Sequence, residues 1–262
     1  MWPMLSVLAR RYRQWIVPST RVIAVVGSFG KTTTARAVTT ALQRPIPPHI
    51  GANGWSRICF AVLRIRRGDS HAVLEAGIDG KGQMAQYASV VQPDITVVTS
   101  IGSEHQRSLG TLETTRDEKC EMVRALPPDG LAFLNGDDSN VLWMRDQTKA
   151  RTITFGMNED CDYRARDIQS NWPHGMQFRL QRRGVSGGEE PLVSIQLNGE
   201  HMIYPALAAI AVACEEGLSV EQVIQALAGL PPTEGRLETI ELERGVMLLR
   251  DDYKSTLETV HT

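Results

Sequence analysis

The chain has 262 residues, 42% of them hydrophobic, and a formal charge of -2. That length can bury a sizeable core, as one large domain or one domain with appendages, and the near-neutral charge argues against a protein whose main task is to coat nucleic acid. The four cysteines, Cys59, Cys120, Cys161 and Cys214, form no Cys-x-x-Cys pair and lack metal-ligand spacing, which fits free thiols in a reducing, cytoplasmic compartment.

No stretch is apolar and long enough to span a bilayer. Residues 1–19 set a short apolar patch ahead of Arg10, Arg11 and Arg13, the reverse of a secretory signal. A basic linker helix covering the domain is expected here. The alternative is a membrane-surface helix with Trp2, Leu5, Leu8 and Trp15 on one face.

The rest of the chain is organised around Val22 to Thr34. A β-branched apolar run predicts a buried strand, Gly27 and Gly30 allow a sharp turn, and Thr32 to Leu42 reads as a helix. Backbone N–H groups and the positive end of that helix favour an anion in the turn. Lys31 can meet the β and γ phosphates of a nucleotide, and the Thr32 hydroxyl suits Mg²⁺.

Three prolines between Arg44 and His49 predict a loop that runs on through Gly51-Ala-Asn-Gly54 to a mixed segment, Trp55 to Ile65. A strand from His71 to Leu74 ends at Glu75-Ala-Gly, and the carboxyl end of a strand is where ligands collect in open α/β sheets. Lys81 to Val91 reads as a helix and Ile95 to Thr99 as a strand, followed by the polar stretch Ile101-Gly-Ser-Glu-His105. Leu112 to Leu126 is a charged amphipathic helix, and taken by itself its Lys119 is a solvated charge.

Leu131 to Leu134 is a strand closed by Asn135-Gly-Asp-Asp138, Val141 to Gln147 a helix, and Thr152 to Phe155 a strand. The alternation predicts an α/β fold: a mostly parallel, doubly wound sheet flanked by helices. From Asp162 to Leu197 several short strands predict a small antiparallel β lobe. Helices at Met202 to Glu216 and Val220 to Leu227 follow, then a hairpin around Arg244-Gly245.

Several motifs, in order, now add up. The phosphate loop Gly27-Ser-Phe-Gly-Lys-Thr-Thr-Thr34, Glu75-Ala-Gly, Pro93-Asp-Ile95 with Ile101-Gly-x-x-His105, and Leu134-Asn-Gly-Asp-Asp138 come first. Gly199-Glu-His201, Pro232-x-x-Gly-Arg236 and Asp251-Asp-Tyr253 complete the series. Together they resemble the central, ATP-binding domain of the Mur ligase superfamily, with the likeness greatest to its D-alanyl-D-alanine-adding branch. The resemblance runs from about Thr20 to the C-terminus, with residues 20–250 as the ATP-binding domain and residues 251–262 as the start of a linker toward a third domain.

The resemblance implies roles. Gly27, Ser28, Gly30, Lys31, Thr32 and Thr33 would hold the ATP phosphates, with Thr32 on one Mg²⁺. Glu75 and His105 would serve a second Mg²⁺, and Lys119 matches a lysine carbamylated in the family, which turns an ammonium into an anionic oxygen ligand. Asn135 would face the adenine, Arg236 the phosphates and Asp252 the ribose. The implied activity is ATP-dependent amide formation through an acyl phosphate in peptidoglycan precursor synthesis, with Lys31, His105, Lys119 and Arg236 as catalytic residues and a UDP-muramoyl peptide as a possible substrate.

Complete family members have a substrate-gripping domain before this one and a closing domain after it, so a partner chain could supply both. Met202 and Pro205 stand where the family carries asparagines, and Phe29 stands where a polar residue is common, with the loop N–H groups expected to carry the binding there. These departures favour the alternative, a nucleotide-binding module or partner subunit without ligase activity. A GTPase would require an Asn-Lys-x-Asp motif, which the chain lacks.

Overall fold

The computed structural model describes residues 2–48, 50–51, 54–103, 109–185 and 190–252. The first expected elements all form: β1 (Arg21–Val26), α2 (Lys31–Ala41), β2 (His71–Glu75), α4 (Gln83–Val91) and β3 (Ile95–Val98). The mixed segment resolves into a helix, α3 (Trp55–Leu63), and the N-terminal segment is helical as α1 (Trp2–Trp15). Next come α5 (Leu112–Arg124), β4 (Leu131–Asn135), one helical turn α6 (Ser139–Leu142) continued as a 3₁₀ turn to Gln147, and β5 (Arg151–Gly156).

Strand order explains why the apolar runs are continuous. The sheet runs β2-β1-β3-β4-β5 in parallel register, with Ile23 opposite Val73 on one side and Ile95 on the other. Helices cover both faces, so each strand buries both sets of its side chains. Ile23, Val25, Leu131 and Phe133 face α2 and the later helices α7 (Ile203–Glu215) and α8 (Val220–Ala228). Val22, Ala24, Val26, Ala132 and Leu134 face the layer holding α1, α3, α4 and α5. Each buried Val, Ile, Leu or Phe among them contributes about 1.5–3 kcal/mol, so these strands are the stable frame beneath the loops.

The antiparallel strands from 163 onward form as expected, and they extend the main sheet. β6 (Tyr163–Ser170) pairs parallel to β5, then β7 (Met176–Arg182) and β8 (Leu192–Ile195) continue antiparallel, completing eight strands. Their inward residues Phe178, Leu180, Val193 and Ile195 share the core beneath α7, which is why they continue the sheet. The expected closing hairpin is a separate two-stranded sheet of β9 (Glu238–Glu241) and β10 (Met247–Arg250).

Polar pins hold the ends. Arg13 of α1 donates to Asp94 Oδ2 at 2.8 Å, and the same oxygen accepts Val22 N–H at 2.7 Å, so one carboxylate fastens α1 to the start of β1. The expected shared face on α1 divides: Trp2 and Leu5 pack inward, whereas Leu8 and Trp15 point out. All four cysteines are free, and burial pushes the Cys59, Cys120 and Cys161 thiols up to about 11. At neutral pH they stay protonated and unreactive. Among the described residues no helix is long and apolar enough to cross a membrane.

Candidate functional site

β1, β3 and β4 end side by side, and the candidate residues gather at those carboxyl ends. Gly27 takes the turn out of β1 with φ +148°, and a Cβ there would stand 2.0 Å from Thr99 Oγ1. Only glycine fits that approach. Gly30, at φ +77°, opens α2 without a side-chain cap, so the helix begins with uncapped first-turn N–H groups and the positive end of its dipole. Lys31, the first residue of α2, is buried, and its Nζ donates to the carbonyls of Gly27 at 2.9 Å and Ser28 at 2.8 Å. The loop therefore wraps its own ammonium.

The N–H groups of Ser28 and Phe29 do not point into this cradle. Ser28 N donates to Ser100 O at 2.7 Å and Phe29 N to Ser100 Oγ at 3.1 Å. These two amides tie the loop to the end of β3. The Phe29 ring lies against Gly102, where a Cβ would be 2.3 Å from it.

Two contacts bring distant candidates to the loop. Thr32 Oγ1 donates to Glu75 Oε2 at 2.8 Å, joining α2 to the end of β2, and Glu75 is buried. The Gly51 backbone passes so close that a Cβ would meet Thr32 Cγ2 at 3.1 Å and Glu75 Oε2 at 3.6 Å. Lys119 is 1% exposed, and its Nζ donates to Ser28 Oγ at 3.2 Å. The solvated-charge reading of Lys119 is overturned because α5 packs that side of its helix onto the phosphate loop. The same Ser28 hydroxyl donates to Gly102 O at 3.2 Å and accepts Gly102 N–H at 2.8 Å.

A cavity of about 590 Å³ opens beside Thr32, lined also by Arg36, Gly51, Arg236, Arg250 and Asp252. Thr32, Arg236 and Asp252 are thus united in one cleft. Arg36 of α2 donates to the Pro231 carbonyl at 3.2 Å and holds the segment that carries Arg236 against the cradle helix. Arg250 bonds Asp252 Oδ1 at 2.9 Å and Glu234 at 3.2 Å, which balances the charge of that wall.

Asn135 lies at the end of β4 but spends its amide inward, donating to Thr99 O at 2.8 Å and accepting Asp137 N–H at 3.0 Å. Asp138 accepts Ile101 N–H at 2.7 Å and caps α6, coupling two loops that sequence reading left separate. Burial raises the phenol pKa of Tyr204, between Met202 and Pro205, and the charge of Asp137 adds to the rise. Burial lowers the His201 imidazole pKa, opposed by Asp251. Thr33 is buried on α2; His105 lies outside the described residues.

A hydroxyl and one carboxylate in contact are hard oxygen donors of the kind Mg²⁺ takes when it completes its shell with water and phosphate oxygens. Among the described residues no cluster of three or more His, Cys, Asp or Glu could hold a metal alone. The donor set therefore fits a cation that arrives with a nucleotide. Sequence reading missed Arg36, Gly51, Ser100 and Asp138; only the polar residues after β3 and β4 hinted at the last two.

Comparison with known proteins agrees with this geometry. The family described as Mur ligase middle domain matches residues 25–213. The UDP-N-acetylmuramoyl-tripeptide--D-alanyl-D-alanine ligase of Bacillus subtilis is 30% identical over 255 residues, covering 96% of this chain and 53% of that protein. MurF from Acinetobacter baumannii superposes with a TM-score of 0.88 at 26% identity, covering 98% of this chain and 56% of that one. MurF from Thermotoga maritima, solved in complex with ADP, shares the fold with a TM-score of 0.83 at 24% identity, covering 99% of this chain and 59% of that one. The chain spans about half the length of the relatives it matches. It belongs to the Mur ligase family, with the family's middle domain at its core.

Proposed function

We propose that this chain is the nucleotide-binding portion of an ATP-dependent, amide-forming ligase that works through an acyl phosphate on a peptidoglycan precursor. The observation that carries the reading is the convergence on one phosphate loop of Thr32 with Glu75 and of Ser28 with Lys119. The relatives' names point to D-alanyl-D-alanine as the incoming amine and a UDP-muramoyl tripeptide as the acid. The domains that grip those substrates belong to the rest of the polypeptide or to a partner chain. The compartment that fits these substrates is the cytoplasm.

In the first step a substrate carboxylate oxygen attacks the γ-phosphorus of ATP and ADP leaves; in the second an amine attacks the acyl carbon and phosphate leaves. Both transition states gather negative charge on oxygens, so pre-positioned cations and N–H dipoles lower the barrier. Lys31 would follow the β and γ phosphates, while Gly27, Ser28, Gly30 and Thr33 shape the cradle and the first turn of α2 offers its N–H groups. Arg236 would meet the phosphates from the opposite wall of the cleft, and Asp252 the ribose. Asn135 retains one amide N–H and one oxygen lone pair with which to meet the adenine edge.

Thr32 and Glu75 would hold a Mg²⁺ that neutralises phosphate charge. Glu75, His105 and a carbamylated Lys119 would hold a second. Calorimetry of a non-hydrolysable ATP analogue with Mg²⁺ tests the reading: binding by the parent and loss in Lys31→Ala support it, and no binding by either opposes it.

A second reading, a nucleotide-binding module without ligase activity, draws on the Asn135 amide bound inward and on Met202 and Pro205 standing where the family carries asparagines. Acceptor-dependent ADP release by this chain fused to the flanking domains of a full-length relative separates the two.

A further inference from the structure

Between Met1 and Leu74 the chain carries eleven Lys and Arg residues and a single acid, Asp69, although the whole chain is net negative. Two helices of this segment, α1 and α3, lie on one face of the sheet, and neither contains an acidic residue. On α1, Met4 is 83% exposed, Leu8 56% and Trp15 68%, spaced along one helical stripe that Arg11 completes. On α3, Trp55 and Phe60 are 43% and 46% exposed. Arg10, Arg11, Arg57 and Arg64 are exposed on or beside these helices, and the Arg11 guanidinium stands 5.6 Å from the Trp15 ring.

This stripe cannot turn inward. Tyr12 donates to Ile65 O at 2.7 Å, Arg13 pairs with Asp94 at 2.8 Å, and Ala9 is buried, so the opposite side of α1 is locked to the domain. Large apolar side chains held in water beside unopposed arginines have the chemistry of a helix that lies in a bilayer interface.

We propose that the α1–α3 face docks on an anionic lipid bilayer, with Met4, Leu8 and Trp15 entering the headgroup boundary and the arginines meeting lipid phosphates. A second copy is disfavoured as the occupant, because a two-fold contact through this face would oppose arginine with arginine, and neither helix carries a carboxylate to pair them. A nucleic acid would use the arginines but leave the apolar ridge in water. The proposal is independent of the ligase reading, since it requires neither nucleotide nor turnover.

Flotation of the chain with vesicles tests it. With phosphatidylcholine mixed with phosphatidylglycerol the parent should float, with phosphatidylcholine alone it should not, and high salt should release it. Leu8→Ser with Trp15→Ser should abolish flotation, and Arg10→Ser and Arg11→Ser should each weaken it about fivefold. All four sites are exposed, and thermal melting by circular dichroism confirms that each variant remains folded. Absence of flotation by the parent, or equal flotation by the folded Leu8→Ser, Trp15→Ser variant, overturns the proposal. So does a dimer in sedimentation velocity that this variant dissolves, which would make a second copy the occupant. Binding of an RNA duplex by the parent without flotation would assign the face to nucleic acid and overturns it as well.

Discussion

Lys119 Nζ reaches Ser28 Oγ at 3.2 Å across 91 residues of sequence, placing a fully buried lysine of α5 against the phosphate loop. A cation there adds to the field of Lys31, whereas a carbamate would reverse it and present oxygen to a metal. With isotope-labelled bicarbonate, nuclear magnetic resonance of the parent should show a lysine carbamate signal that Lys119→Met lacks. In the chain fused to the flanking domains of a full-length relative, Lys119→Ala should lower turnover, with partial rescue by short carboxylic acids. Unchanged turnover would remove Lys119 from the mechanism.

Glu75→Gln keeps the shape of the Thr32 contact but removes the charge. The Mg²⁺-dependent gain in ATP-analogue affinity should fall about tenfold, close to 1.4 kcal/mol, while affinity without Mg²⁺ changes little. Calorimetric titrations with and without Mg²⁺ read the two quantities.

Gly27→Ala puts a methyl 2.0 Å from Thr99 Oγ1 at φ +148°. The loop must shift, so nucleotide binding should be lost and stability should fall by about 2 kcal/mol, read as a lower midpoint in urea. Gly54→Ala has open space around its Cβ but also a positive φ, so it reports the backbone cost without the collision.

Acid should unpin one edge of the sheet. Glu216, just beyond α7, joins His71 of β2 at 2.9 Å and Arg21 of β1 at 2.7 Å. Burial alone would raise its carboxyl pKa, but these hydrogen bonds outweigh burial and hold it at about 2, below the ordinary 4.5. A depressed carboxylate stabilises the fold above its unfolded pKa, and that stability is lost as pH falls from 4.5 toward 2. With allowance for solvent screening at Arg21, the contribution is about 2 kcal/mol. Glu216→Gln should lower the neutral-pH melting temperature and flatten the loss between those pH values.

Much of the fold was legible because its signals are local. Val22 to Val26, Ile95 to Val98 and Leu131 to Leu134 are short β-branched or apolar runs between turns, which read as strands buried on both faces. Gly27, Gly30, Lys31 and Thr32 are contiguous, so their chemistry can be inferred from spacing alone. The reading of Glu75 as functional followed from its place at a strand end, and its bond to Thr32 agrees with that position. Trp55 to Leu63 was harder, since a nine-residue apolar helix does not reveal its period.

What the sequence by itself determined is the alternation of strand and helix, the phosphate loop and the order of the motifs, because hydrophobic period and turn chemistry act over a few residues. Tertiary structure alone decided that β6 to β8 extend the main sheet, that α1 turns Leu8 and Trp15 outward, and that Lys119 is buried against Ser28. Those outcomes depend on which faces meet across a sheet wound on both sides. Helices from opposite layers converge only at the carboxyl ends of its strands, and there α2 and α5 bring a loop and a lysine together that no local pattern connects.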